Sequence, residues 1–150
     1  MNPFFQMLKK DHAAVKTLLG QLVETKASAP KKREALFQKL RMALVPHMKA
    51  EESVFYPPLV AKKASREDAM EGVEEHHVSE MVLKELEKMP KGDDRWGAKM
   101  MVFKELVEHH IKDEQSKVFK SAEEALSSEE LQDIMEQFEL EKQANKKNLS

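Results

Sequence analysis

The chain has 150 residues, with 25 Lys and Arg against 27 Asp and Glu and a formal net charge of −2. That near-neutral balance lacks the basic footprint of a nucleic-acid binder. The absence of cysteine excludes disulfides, thiolate nucleophiles and cysteine-held metal clusters. No apolar run approaches the roughly 18 residues of a membrane span. Met1-Asn2-Pro3-Phe4-Phe5 meets Lys9, Lys10 and Asp11 too early for a signal-peptide core, so the expected location is cytoplasmic.

Asn2 followed by Pro3 reads as an N-cap and first helical residue. The stripe Leu8, Val15, Leu19, Leu22 then predicts a helix over about 3–24. Pro30 restarts a helix with the stripe Phe37, Leu40, Leu44, Val54; Pro46 is expected to kink it and Pro57-Pro58 to end it. Ser65 with Asp68 resembles a capping box and opens a third helix to about Met89. After the turn Pro90-Lys91-Gly92-Asp93-Asp94, a fourth helix runs from about Trp96 to Lys120, with Phe103, Leu106, Val107 and Val118 on its apolar side. Ser127 and Glu130 cap a shorter fifth helix through Leu131, Ile134, Met135, Phe138 and Leu140, with a frayed tail expected from Gln143. No stretch alternates like a strand. The expectation is an all-α fold, an up-down-up-down four-helix bundle with a short fifth C-terminal helix. It forms one domain over 1–150, with the bundle at about 3–120 and the extra helix at about 127–145.

Six histidines are left to explain. His12 lies between Leu8 and Val15 on the inward stripe. His47 and Glu51 lie between Leu44 and Val54, and His110 and Glu114 between Val107 and Val118. At about 100° per residue, an i,i+4 pair is displaced by only about 40° around the helix, so each pair aims one imidazole and one carboxylate inward. A lone inward histidine is ordinarily a hydrogen-bonded core residue. Two inward carboxylates are different: each costs several kcal/mol to bury alone and they repel one another. The neighbouring stripe positions hold no Lys or Arg, so a bound cation is the simplest compensation. The nitrogen and oxygen donors suit iron, manganese or zinc better than calcium or magnesium. Helix 3 offers Glu75-His76-His77. His76 shares its direction with Leu83 and Leu86, whereas His77 points among Glu74, Lys84 and Lys88, yet both stay candidates. His109 faces Asp113 and is expected at the periphery; Glu80 reads as solvated, and Glu52, one residue off the stripe, as uninvolved.

The order His, His-x-x-x-Glu, His, His-x-x-x-Glu over four helices resembles the hemerythrin-like, or HHE cation-binding, domain family. Its matching phrases are Lys10-Asp11-His12, His47 to Glu51 and on to Pro57, Glu75-His76-His77, and His109-His110 to Glu114. The resemblance implies two iron ions joined by an oxo or hydroxo bridge, with Glu51 and Glu114 bridging and histidines outside; manganese or zinc remain alternatives. It implies small ligands (dioxygen, peroxide or nitric oxide) and a monomer or weak homo-oligomer. The oxygen carriers of that family have a His-x-x-x-His pair in helix 3, where this chain has Gly72 four residues before His76. They also have an Asp five residues after the helix 4 histidine, where this chain has Gln115 after His110. With four imidazoles, two bridging carboxylates and one bridging oxygen, about two of roughly twelve octahedral positions stay open, unless Tyr56, Glu80 or His77 closes one. Such an open site favours two-electron chemistry on a bound peroxide over simple reversible storage; the expected function is binding or sensing of dioxygen, peroxide or nitric oxide. A catalase-like enzyme or an iron storage or repair protein is the alternative. Ferritin-like chemistry needs Glu-x-x-His on two helices, and only Glu74-x-x-His77 fits. A zinc hydrolase would need His-Glu-x-x-His, which is absent.

Overall fold

The computed structural model describes residues 1–149, and among these residues the chain is all-helical. The helices are α1 (Pro3–Val23), α2 (Pro30–Ala50), α3 (Tyr56–Val60), α4 (Arg66–Lys88), α5 (Asp94–Asp113), α6 (Phe119–Ala125) and α7 (Ser128–Leu149). Two π-helical turns, Glu51–Phe55 and Glu114–Val118, join α2 to α3 and α5 to α6 without a break. Among the described residues the helices therefore form five rods.

The N-caps act through their side chains at three of these ends. Asn2 Oδ1 accepts from the Phe4 N–H at 2.8 Å, and Asp93 Oδ1 from the Arg95 N–H at 2.9 Å. Ser127 and Glu130 form the reciprocal capping box at 3.0 and 3.1 Å. The Ser65–Asp68 box does not form. Ser65 Oγ donates to the Leu59 carbonyl at 2.7 Å and Asp68 accepts from Ser121 instead, so both side chains serve tertiary contacts.

Pro57 and Pro58 do not stop the second rod. They fall in the first turn of α3, where a missing N–H is tolerated, because the π-turn before them has shifted the register. The same shift corrects the stripe: Val54 is only half-buried, while Phe55 and Tyr56 are fully inside. A frayed tail and a short fifth helix are also corrected. α7 is helical through Leu149, and its 22 residues match α1 and α4 in length. It is seated by Leu131 and Phe138, by buried Lys142, and by Leu149, which packs against the core. Leu140, expected on its apolar face, points to solvent.

α1 packs on α2 and α5, α4 packs on α5 and α3, and α7 lies across α2 and α1. The core has two apolar parts. One contains Val15, Leu19, Leu22, Phe37, Leu40, Trp96, Met100 and Phe103; the other contains Phe4, Phe5, Leu8, Phe55, Leu59, Phe119 and Phe138. Along α1, His12 falls between Leu8 of one part and Val15 of the other; along α4, His76 falls between Ala69 and Leu83. The polar candidates thus occupy the seam between two dry cores. No helix among the described residues is long and apolar enough to cross a membrane.

Candidate metal centre

Six of the seven candidate residues meet at this seam. His12, His47, Glu51, His76, His110 and Glu114 are all buried, and both carboxylates are 0% exposed. The ligand atoms fall into two overlapping groups. His12, His47, Glu51 and Glu114 form one, and Glu51, His76, His110 and Glu114 form the other. Within each group, one ligand atom per residue lies within 4.8 Å of all the others. Each half supplies two imidazoles and shares the same two carboxylates.

His77 is the exception and leaves the set. Its side chain is 56% exposed and its nearest acidic partner is Glu74, 3.6 Å away. One residue of helix is about 100° of rotation, so His76 pointing inward turns His77 outward. His109 lies on the surface beside Asp113 at 3.0 Å, as its position on the helix suggested. Glu80 lines a surface groove with Arg41, Lys49 and Lys84 and does not reach the seam.

The inner distances are short but poorly directed for hydrogen bonding. His12 Nε2 lies 3.2 Å from Glu114 Oε1, and Glu51 Oε1 is 3.3 Å from Nε2 of both His47 and His76. His110 Nε2 is 3.4 Å from Glu114 Oε2 and 3.1 Å from His76 Nε2. Yet His12 Nε2, His47 Nε2, both oxygens of Glu51 and Glu114 Oε1 have no hydrogen-bond partner. Buried polar groups are nearly always satisfied. Five such atoms converging on one small space therefore fit an additional binder, and the donor set is that of a transition-metal cation.

The electrostatics make the same demand. Burial disfavours charge on His47 and His110, but Glu51 with Asp11 outweighs it for one ring and Glu114 with Glu75 for the other. Both rings are pushed up to about 10. Burial also opposes charge on Glu114, and its neighbours His110 and His12 still hold it well below the ordinary carboxylate range. The two carboxylates require positive charge beside them, and either ring protons or a cation meets that requirement, so a metal that binds here displaces protons.

Three outer carboxylates support the rings, and the sequence reading missed all three. His47 Nδ1 donates to Asp11 at 2.9 Å, His76 Nδ1 to Glu52 at 2.9 Å and His110 Nδ1 to Glu75 at 2.8 Å. Each bond fixes the ring's tautomer, turns Nε2 inward and strengthens its donor character. Glu52, read as uninvolved, is thus corrected. Asp11, Glu52 and Glu75 each adjoin an inward residue (His12, Glu51 and His76), and each clasps a histidine of another helix. Glu52→Ala is expected to weaken metal binding about 10- to 100-fold, whereas His77→Ala leaves it unchanged; metal titration of the two variants checks the contrast.

Tyr56, 1% exposed, donates its hydroxyl to Glu114 Oε2 and comes within 3.4 Å of His110 Nε2. Its burial and the Glu114 charge push the phenol well above its ordinary pKa, so it stays protonated and donates. A Cβ at Gly72 would meet the Tyr56 ring and hydroxyl at 3.2 Å. The phenol therefore packs tightly against position 72, where a side chain one turn before His76 would otherwise stand. Both inner carboxylates open the π-turns: the Glu51 carbonyl accepts from the Tyr56 N–H and the Glu114 carbonyl from the Phe119 N–H. Such π-turns are frequent at functional sites.

A helical bundle with a buried histidine–carboxylate cluster defines a class of metal-binding proteins. The comparisons specify it further. The family model for the Hemerythrin HHE cation binding domain matches residues 4–122, and the chain belongs to that family. Among solved structures, it is similar to a Hemerythrin HHE cation binding domain-containing protein from Mycobacterium kansasii. The TM-score is 0.83 at 22% identity, over 99% of this chain and 89% of that one. At that identity the likeness concerns the fold, and it extends over α7, which the family model does not reach. No curated protein matches the sequence.

Proposed function

We propose that the cluster holds two metal ions, iron in the first instance, and that the protein binds or senses dioxygen, peroxide or nitric oxide there. In this reading, the four site-bearing rods run up-down-up-down. His12 and His47 serve one ion, His76 and His110 the other, and Glu51 and Glu114 are shared. The observation that carries the reading is the convergence of buried, unpartnered nitrogen and oxygen atoms on one space. A bound iron pair supplies two redox-active centres able to take up such a ligand.

The chain's own groups do the rest. Val15, Leu44, Met48, Val107 and Ile111 line the cavity beside the rings, which has room for about one water-sized body, about 10 Å³. The wall limits access to small molecules and keeps the site dry, which strengthens charge interactions inside it. Tyr56 donates its hydroxyl proton toward Glu114 Oε2 at the edge of the site. A hydrogen-bond donor in that position stabilises negative charge on nearby oxygen.

Peroxide disproportionation is the second reading, and one observation favours it. Only four imidazoles reach the cluster, so the proposed pair has more open positions than a five-histidine site. Two measurements on the iron-loaded protein separate the readings. If the ligand-binding reading holds, nitric oxide or peroxide changes its absorption spectrum. No change with nitric oxide, peroxide or dioxygen rejects it. Dioxygen release from peroxide faster than with free iron establishes the enzyme reading, and release no faster removes it.

A further inference from the structure

The three outer carboxylates differ in their surroundings. The ion pairs of Glu52 and Glu75 run to histidines: His76 for Glu52, and His109 and His110 for Glu75. Asp11 also meets a lysine. Lys142 Nζ lies 3.2 Å from both its oxygens, and 3.7 Å from Glu139 Oε1. Lys142 belongs to α7, beyond the residues the family model matches. Its side chain is 11% exposed, and its ammonium stands 5.8 Å from the Phe138 ring centroid; that ring meets His47 edge-on at 5.5 Å. The remaining inner histidine, His12, has no carboxylate behind it, for its Nδ1 is buried without a hydrogen-bond partner.

A carboxylate that accepts the outer N–H of a ligating imidazole makes that imidazole a stronger donor. An ammonium held on the same carboxylate draws its charge away and lessens the effect. The His76/His110 half thus has two carboxylates whose ion pairs run only to histidines, the outer partner of Glu75 being the exposed and more distant His109 at 3.8 Å. The His12/His47 half has one carboxylate damped by an ammonium and one unsupported ring. We propose that Lys142 is a positioning residue that acts through Asp11 to keep the His12/His47 half the weaker-binding one, so that metal fills the two halves in order, His76/His110 first. This rests on the two-ion reading above. The added helix is thereby part of the centre's tuning as well as its cover.

The test is a Co2+ titration of the metal-stripped full-length protein, followed by its visible absorption. Wild type shows two binding steps separated by about tenfold or more. K142M keeps the aliphatic stem over Phe138 and removes the charge; it tightens the second step by about tenfold and leaves the first within about twofold. K142Q provides the same comparison if K142M does not fold. K142R restores the wild-type separation. In the Co2+-loaded protein, one of the four paramagnetically shifted imidazole N–H proton signals, that of His47, moves in K142M and returns in K142R, which a purely structural lysine does not produce. Two ions bound by wild type but unchanged steps in K142M, both steps moving together, or a weakened second step each overturn the role of Lys142 alone. Wild type that binds no Co2+ defeats the two-ion reading and this inference with it.

Discussion

Replacing Glu51 or Glu114 with alanine is expected to bring metal content below two ions per chain, the largest functional effect of any single change. Each carboxylate belongs to both ligand groups, so its loss removes an oxygen donor from both halves at once. Losing a histidine such as His12 affects one half only. Changes behind the ligands typically cost 10- to 100-fold in affinity, and loss of a shared ligand is expected to exceed about 100-fold. A second signature follows from linkage. Ligand at about 100 times its dissociation constant stabilises a folded protein by about 2.7 kcal/mol. The rise in melting temperature on adding metal should therefore largely vanish in either variant. Metal analysis paired with thermal melts, with and without added Fe2+, reads both effects. Full occupancy in Glu51→Ala means that the carboxylate is a core residue and not a ligand.

Phe138→Ala is expected to be the most destabilising change outside the centre, by about 3–5 kcal/mol. For a chain of this size that corresponds to a fall in melting temperature of about 10 °C. Phe138 is 0% exposed and sets its ring edge-on against Phe4 at 5.5 Å and His47 at 5.5 Å. Its truncation opens a cavity shared by α7, the N-terminal helix and the metal seam. Leu140→Ala, two residues on, removes a side chain that is 65% exposed and should stay within about 0.5 kcal/mol of wild type. If the two variants melt alike, α7 is not seated as described.

The inward histidines were legible because they share stripes with Leu8, Val15, Leu44 and Val107, and helical periodicity alone fixes which way such residues point. Glu51 and Glu114 followed from the same rule, four residues after a histidine. The rule fails one turn after Glu51, while Val118, four residues after Glu114, is buried as expected. Both carboxylates open π-turns, which add about one residue to the turn and rotate everything after them. Val54 was read as buried for that reason, and Pro57-Pro58 as a stop. The outer carboxylates were invisible for another reason: each is paired across helices, and periodicity along one helix says nothing of what its flank meets on the next. Their adjacency to inward residues is the signal that was there to use. α7 was undercounted because its last turns carry mostly Lys, Glu, Gln and Asn, which read as solvated. Its anchoring depends on Lys142, a charged residue buried because Asp11 awaits it.

The stoichiometry of bound metal is the decisive quantity. Anaerobic Fe2+ titration of the metal-stripped chain, with the bound iron counted after removal of excess, is expected to saturate at two ions per chain. Saturation at one ion, or no tight binding at all, contradicts a centre shared by His12, His47, Glu51, His76, His110 and Glu114.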